Sequence, residues 1–588
     1  MTPFTMRFLA GTGLLLLLSS ACGMVLANQA GAQTDSASSG SISGPQKLSP
    51  EGSESLRGYL NVAEMPALHW PNFSNFQKDV KDFYDSEGNA LPWIDRAKPT
   101  PQARAIILAL KNAAEKGLLP EDYDGPQWDD RLAQFTRPGA VPESELVKFD
   151  LALTVSAMRY ISDLHMGRVN PRSLHFGLDI GPRQFALSEF LSEKLVGATD
   201  VDAALQTVEP PFPIYRRTQD ALKKYLQFAR LDDGELLPVP PRAIKPGNPY
   251  AGAPRLAKLL ALVGDLDEKP GGQTHTEGIY DGALADAVKR FQRRHGLEPN
   301  GILDAPTLKE LNTPLSRRVT QLQLAMERMR WLPHQFERPP IVVNIPEFRL
   351  YAVNDEYLTA FTMNVVVGKA YGHQTPVFAN EIRSVIFRPY WNVPPSILKA
   401  EIIPDLRKNP SYLNANSYEI VDKNEKVVGQ GPINQQTIDQ FRAGLWRVRQ
   451  TPGPKNALGL VKFEFPNEYD VYMHGTPAQQ LFSRSRRDFS HGCIRVEDPV
   501  KLAKWVLQGM PEWTEDRIRA AMNGDETVQV RIKQPIPVLI FYTTAVILDD
   551  GEAHFFEDIY GLDASLEQAL AHALPSSDQA GLLKSNRN

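Results

Sequence analysis

The chain reads as a multidomain α+β protein. It has a mainly helical scaffold, a small three-helix module, and a mostly-β domain with a helical or irregular insertion. Three observations predict this. Apolar residues recur at spacings of three and four through the first part of the chain, the signature of amphipathic helices. Beyond about residue 340, β-branched and alternating runs take over. A length of 588 residues also exceeds what one hydrophobic core normally serves.

Composition narrows the class. Hydrophobic residues make up 42% and charged residues 23% of the chain, as in soluble globular proteins. A net charge of -5 gives no global reason to expect nucleic acid as a partner. Residues 1–32 read as an export signal: Arg7 supplies the positive end, 8–18 are largely apolar, and Ala30-Gly31-Ala32 forms a small-residue cleavage site. An uncleaved membrane anchor is the second reading. Lipidation at Cys22 is the third, with Ser19 standing where leucine is usual. Each places the bulk of the chain outside the cytoplasmic membrane, so the expected location is the periplasm, cleaved free or anchored to the inner membrane.

Residues 33–55, rich in Ser, Gly and Gln, bury too little surface to order and read as a flexible linker. Residues 56–250 form the helical scaffold. Its stripes include Ala103-Ile106-Ile107-Leu110 and Leu151-Val155-Met158-Ile161. The polar group Asp163 to Arg168 ends a helix, with Gly167 as a left-handed cap. Nothing in this region has catalytic spacing.

Residues 251–315 form the three-helix module. Leu256, Leu259, Leu260 and Val263 make one stripe, and Leu284, Ala287, Val288 and Phe291 make a second that ends at His295-Gly296. Thr307-Leu308-Leu311 makes a third short helix. The order Tyr280-Asp281-Gly282, Ala287-Val288-Lys289-Arg290-Phe291-Gln292, His295-Gly296-Leu297, Asn300-Gly301 resembles the peptidoglycan-binding-like domain attached to cell-wall enzymes. Glycan-strand binding is implied by that resemblance alone, because the stripe residues only build a core. A helical connector spans 316–338.

The β domain spans 339–565, followed by a tail at 566–588. Asn354-Asp355 turns a hairpin between two strand-like runs. Residues 538–546 and 554–556 make a final strand pair around Asp549-Asp550-Gly551. Between 396 and 446 the strand pattern lapses, and an insertion this long inside a β domain is expected to serve function.

The chain has two cysteines, and Cys22 falls in the export segment. Cys493 is then a lone thiol that cannot form an internal disulfide. It follows Ser490-His491-Gly492, and His474 precedes it in Tyr472-Met473-His474-Gly475-Thr476. A thiol near imidazole suggests a nucleophile whose proton the base accepts, with the thiolate stabilised at neutral pH. Gly492 lets the backbone approach a carbonyl, so the amides of Gly492 and Cys493 could converge on an oxyanion. Two other readings stand beside this one. His474, His491 and Cys493 could hold zinc, but no fourth ligand sits at a recognisable spacing. Cys493 could also be a buried structural thiol. Papain-like proteases carry Cys before His, the reverse of this order.

His474-Gly475-Thr476 followed by Ser490-His491-Gly492-Cys493-Ile494-Arg495-Val496 resembles the active-site signature of the L,D-transpeptidases of bacterial cell-wall cross-linking. Tyr390-Trp391-Asn392-Val393-Pro394-Pro395, Thr451-Pro452-Gly453 and Asn456-Ala457-Leu458-Gly459 are similar to flanking family segments. The resemblance implies Cys493 as nucleophile, His474 as base, and the Gly475 carbonyl as its orienter, with Gly492 in the oxyanion hole. It also implies substrate contacts: His491 and Ser490 in the pocket wall, Arg495 pairing with a carboxylate or bracing the loop, and Tyr472 and Asn392 at the rim. Residues 396–446 would cap the substrate. Implied partners are peptidoglycan stem peptides, a donor tetrapeptide and an acceptor amine, with no metal or organic cofactor. Carbapenems would be expected to acylate Cys493. The expected product is a 3→3 cross-link. A hydrolase (an L,D-carboxypeptidase, or an enzyme detaching wall-bound protein) and an inactive wall-binding scaffold are the competing readings.

Overall fold

The computed structural model describes residues 45–178, 185–267, 278–409, 411–429 and 433–573. The expected export segment and the start of the linker lie outside them. Among the described residues, no helix is long and apolar enough to cross a membrane.

The scaffold is built around α1 (Glu143–Met166), whose residues are buried almost without break from Leu146 to Leu164. Such a helix needs its polar residues satisfied internally. Asp150 accepts the Tyr84 hydroxyl at 2.7 Å and the Trp93 N–H at 2.8 Å. Burial pushes its carboxyl up to about 8 against those two bonds. The helix ends at Gly167 as expected, but with φ 76° and ψ 169° rather than in the left-handed helical well. The polar group there is internal structure: Asp163 accepts the Tyr123 hydroxyl at 2.7 Å and Arg168 pairs with Asp122 at 2.8 Å.

The scaffold closes with α2 (Pro213–Leu231). The module then forms its three helices at Ala253–Leu262, Gly282–Arg294 and Ala305–Leu311. Its His295-Gly296 turn is not a free surface. His295 is buried, stacked on Phe291 at 3.7 Å and near Phe555 at 5.7 Å. A Cβ at Gly296, where φ is +65°, would meet the Phe556 ring at 3.1 Å. Arg294 reaches the Ala553 carbonyl at 3.1 Å. The module is therefore packed against the C-terminal hairpin of the β domain.

The connector is α3 (Leu315–Arg330). It lies along α2 and touches a helix at 562–572, into which the expected tail boundary falls. That helix, α4 (Leu562–His572), buries Asp563 and Leu566 completely. The boundary at 566 therefore moves to the end of α4, because Leu566 belongs to the core and Asp563 pairs with Arg328 at 2.6 Å.

Nine strands make the large sheet of the β domain. They are β1 (Ile341–Asn344), β2 (Arg349–Val353), β3 (Thr359–Gly368), β4 (Phe378–Phe387), β5 (Val461–Glu464), β6 (Met473–His474), β7 (Asp488–Ser490), β8 (Ile494–Val496) and β9 (Val528–Phe541). Their order is β7-β3-β8-β6-β5-β4-β9-β1-β2, and β2 pairs back onto β3, so eight strands close into a barrel. Closure removes the exposed edges that invite wrong pairing. Inward residues such as Val343, Leu350, Val365, Phe463, Met473, Ile494 and Ile540 fill the core.

Two expectations need correction here. The run 538–546 is split: Val538–Phe541 ends β9, which begins as early as Val528 and pairs with both β1 and β4. Only Ala545–Ile547 forms the hairpin with Ala553–Phe555, because Thr543 turns away to exchange hydrogen bonds with Asn344. The insertion is also more regular than the sequence suggests. It carries a four-stranded sheet, Trp391–Asn392, Trp446–Gln450, Tyr418–Asp422 and Val427–Gly429 in that order. Leu398, Ile402, Leu406, Leu413, Ile420, Phe441 and Val448 give it a core of its own.

Removing one partner of a buried ion pair leaves the other charge uncompensated. Asp563→Ala should therefore cost about 3–5 kcal/mol in denaturant unfolding, and Arg328→Met with Asp563→Leu should recover most of it. Equal stability of the single and double variants would show that the pair does not tie α4 to α3.

Candidate active site

Strand register assembles the site. β6 and β8 run parallel, with Met473 opposite Ile494 and His474 opposite Arg495. The Ile494 N–H donates to the Tyr472 carbonyl at 3.0 Å, which sets Cys493 beside Tyr472. Side chains alternate along a strand and neighbours in register share a face. Met473, Ile494 and Val496 are fully buried in the core. Tyr472, His474, Cys493 and Arg495 consequently share the opposite face. On the other side of β6, Lys462 is in register with His474.

Cys493 is a free, half-buried thiol. Its Sγ donates to the Asp470 carbonyl at 3.7 Å. Burial pushes the thiol above its ordinary value, while contacts with Tyr472 and the charges of Lys462 and Arg495 pull the other way. His474 is buried, and its Nδ1 lies 2.5 Å from the Gly475 carbonyl. That carbonyl can only accept, so Nδ1 carries the proton and Nε2 is left with the lone pair. Burial first, and the Arg495 charge second, lower the imidazole to about 3, against the carbonyls of Gly475 and Leu458. Burial thus weighs against both the thiolate and the imidazolium. Among the described residues no hydrogen bond joins Sγ to His474.

The loop carrying the thiol is braced from beneath. Ser490, buried, donates from Oγ to the Cys493 carbonyl at 2.5 Å and accepts the Gly492 N–H at 3.2 Å. Ser490 is therefore a loop brace below the surface, not a pocket wall. The Gly492 amide is correspondingly engaged, whereas the Cys493 N–H has no partner among the described residues. Of the two expected oxyanion donors, the Cys493 amide is the one held open. Gly492 sits at φ +119°, a backbone shape that suits glycine. Thr375 completes the brace: its hydroxyl donates to the Gly492 carbonyl at 2.7 Å and accepts the Gly368 N–H at 2.8 Å.

The remaining residues sort clearly. Arg495 lies beside Cys493 and His474, and its Nε is buried without a hydrogen-bond partner. Tyr472 touches the thiol, its hydroxyl is reached by Trp391, and Lys462 sits 4.4 Å over its ring. Asn392 is exposed on the edge of the small sheet, paired with Arg449, and among the described residues nothing ties it to the thiol. His491 turns to the insertion, where its Nε2 meets Glu401 at 2.7 Å, and its ring lies 4.7 Å from His373. The segments 451–453 and 456–459 support the base. Asn456 is fully buried on the carbonyls of Pro389 and Thr451. A Cβ at Gly459 would strike Thr476 and Gly475 at under 3 Å.

Sequence reasoning missed Lys462, Trp391, Thr375, Asp470 and Glu401. Lys462 carried a signal as a cation in an otherwise alternating strand, Trp391 stood in a segment already singled out by resemblance, and Asp470 lies just before Tyr472. Thr375 and Glu401 come from distant segments whose approach has no local pattern.

Comparison with known proteins gives likenesses at the level of domains. Residues 338–519 match the L,D-transpeptidase catalytic domain, residues 78–222 a scaffold domain, and residues 255–311 a domain described as "Putative peptidoglycan binding domain". Over 265 residues the chain is 34% identical to the "Putative L,D-transpeptidase" of Haemophilus influenzae, covering 45% of this chain and 51% of that one. The chain thus spans about half the length of the curated relative it matches. Crystal structures of L,D-transpeptidases from Xylanimonas cellulosilytica and Stackebrandtia nassauensis are each 14% identical. They cover 52% and 51% of this chain and 100% and 94% of their own. With TM-scores of 0.15 and 0.19, those two likenesses carry no weight.

A raised thiol value means less thiolate at neutral pH than a free cysteine shows. Iodoacetamide alkylation of Cys493 should therefore rise with pH through a midpoint above the ~8.5 of free cysteine. A midpoint below that value would reveal a standing thiolate–imidazolium pair instead.

Proposed function

Taking residues 338–519 as an L,D-transpeptidase catalytic domain carried with a scaffold domain and a peptidoglycan-binding domain, we propose that this chain forms 3→3 peptidoglycan cross-links outside the cytoplasmic membrane. The observation that carries the reading is the shared face of Cys493, His474, Tyr472 and Arg495 on two parallel strands. In the first half-reaction the Cys493 sulfur attacks the carbonyl of the L,D bond after the third residue of a donor tetrapeptide. Its proton passes to His474 Nε2 and on to the departing nitrogen, so D-alanine leaves with an uncharged amino group and its own carboxylate, and a thioester is left on the sulfur. The Cys493 N–H stabilises the oxyanion. Lys462 and Arg495 favour negative charge on sulfur and offer partners to stem carboxylates. In the second half-reaction the side-chain amine of a diaminopimelate residue opens the thioester. The amine loses its proton, the sulfur regains one through His474, and an amide forms.

Water competes for the same thioester, so the acceptor depends on what the site excludes. The insertion reaches the thiol loop through Glu401 and His491, and Trp391, on the strand of the small sheet just before it, reaches Tyr472. Held in this way, the capping segment shields the acyl-enzyme from solvent and favours the amine.

Two measurements test the reading. Incubation with disaccharide-tetrapeptide should yield dimers lacking one D-alanine by mass spectrometry, and Cys493→Ala should lower that rate on the order of 10⁴-fold or more. Free tripeptide as the main product would assign hydrolysis instead, and unchanged substrate an inactive wall-binding role. Glu401→Gln should leave D-alanine release within about twofold while raising the tripeptide-to-dimer ratio several-fold. An unchanged ratio would remove the capping contact from acceptor choice.

A further inference from the structure

Arg495 differs from the other charged side chains around the thiol loop. Lys462 Nζ meets Glu464 at 3.1 Å and lies over the Tyr472 ring. His491 meets Glu401, and Arg487 donates to the carbonyls of Phe348 at 3.0 Å and Val365 at 3.2 Å. Among the described residues the Arg495 guanidinium makes no hydrogen bond and no ion pair, and its Nε is buried. The side chain as a whole is half-buried, so part of it still reaches solvent. Burial pushes the guanidinium below its ordinary value, and only the Cys493 sulfur pulls the other way. Taking a cation out of water without a partner is costly. Nor does Arg495 brace the loop, since Ser490 and Thr375 hold the Cys493 and Gly492 carbonyls instead. An unpaired cation beside the nucleophile awaits an anion from outside the chain.

The strand register says where that anion sits. Arg495 is opposite His474 across β6 and β8, and it lies two residues beyond Cys493 on the same face, about 6–7 Å along the strand. A donor carbonyl under attack by Cys493 must place its leaving nitrogen toward His474 Nε2, which returns the proton to it. From the attacked carbon to the carboxylate carbon of the next residue there are only three bonds, about 4 Å at most. The terminal carboxylate of a four-residue stem therefore falls on the His474 and Arg495 side of the thiol. The other stem carboxylates stay with the acyl half. Lys462 also flanks His474, but Glu464 already holds its ammonium.

Resting on the acyl-transfer reading above, we propose that Arg495 is the specificity-determining seat for the terminal carboxylate of the donor's fourth residue. The planar guanidinium offers a carboxylate two parallel hydrogen bonds, which an amide or a further residue at that position cannot replace. The contact fixes the leaving nitrogen beside the base, selects stems that end at the fourth residue, and departs with the released amino acid.

Two measurements on the full chain test the seat. In the first, Cys493→Ala is titrated calorimetrically with disaccharide-tetrapeptide and with the same compound amidated at its terminal carboxyl. The free acid should bind about tenfold or more tightly, and equal affinities would overturn the seat. In the second, release of the fourth residue is followed by mass spectrometry, which reads the same step whether amine or water takes the acyl group. The acid-over-amide preference in kcat/KM should fall to within about twofold in Arg495→Gln and persist in Lys462→Gln. A preference that survives in folded Arg495→Gln, or vanishes in Lys462→Gln, would assign the carboxylate to another cation. The Lys462 arm stands even if Arg495→Gln does not fold. Selective binding of the acid with no release by the unaltered chain would sink the transferase reading and leave the seat in place.

Discussion

The parallel register of β6 against β8 is the constraint on which the shared face of Tyr472, His474, Cys493 and Arg495 depends. Both strands are short, two and three residues, so they cannot hold their own alignment. Their neighbours do: β5 fixes β6, β3 fixes β8, and the closed barrel fixes all four. A slip of one residue would turn Cys493 and Tyr472 toward the core and expose Met473 and Ile494. Burial of those two apolar side chains therefore aims the thiol. The same logic extends to the loops, where Ser490, Thr375 and Asn456 bind backbone carbonyls that have no place in a regular ladder.

The electrostatics follow from that placement. A buried imidazole beside a guanidinium cannot easily take a proton in the resting state, and a buried thiol cannot easily lose one. Arg495 acts on both in opposite senses, penalising imidazolium and favouring thiolate. The same burial keeps a lone thiol less reactive toward oxidants.

The rest of the chain is joined to the barrel through buried polar contacts. Arg328 with Asp563, Arg294 with the Ala553 carbonyl, and Glu327 with the Val169 N–H at 2.9 Å link connector, module and scaffold to their neighbours. Buried charges are weak sources of stability but demand one geometry, and here they specify docking. The module illustrates the consequence. Its His295-Gly296 turn, which reads in sequence as a surface feature, is an interface with the C-terminal hairpin.

Much of this was legible in the amino-acid order. The helical periods predict the scaffold, module and connector, the alternating runs predict most strands, and Cys493 and His474 stand out by residue type and spacing. Local pattern could do this because helices, turns and a compact motif are set by neighbours in sequence. It could not show that Ser490 braces rather than binds, that the Gly492 amide is already engaged, or that 562–572 is a packed helix. Nor could it bring Lys462 toward the thiol, Thr375 to the Gly492 carbonyl or Glu401 to His491. Those facts arise from burial and from contacts between segments up to a hundred residues or more apart. The protonation of Cys493 and His474 belongs with them, since it depends on how much water the fold removes from each group, a quantity that has no counterpart along the chain.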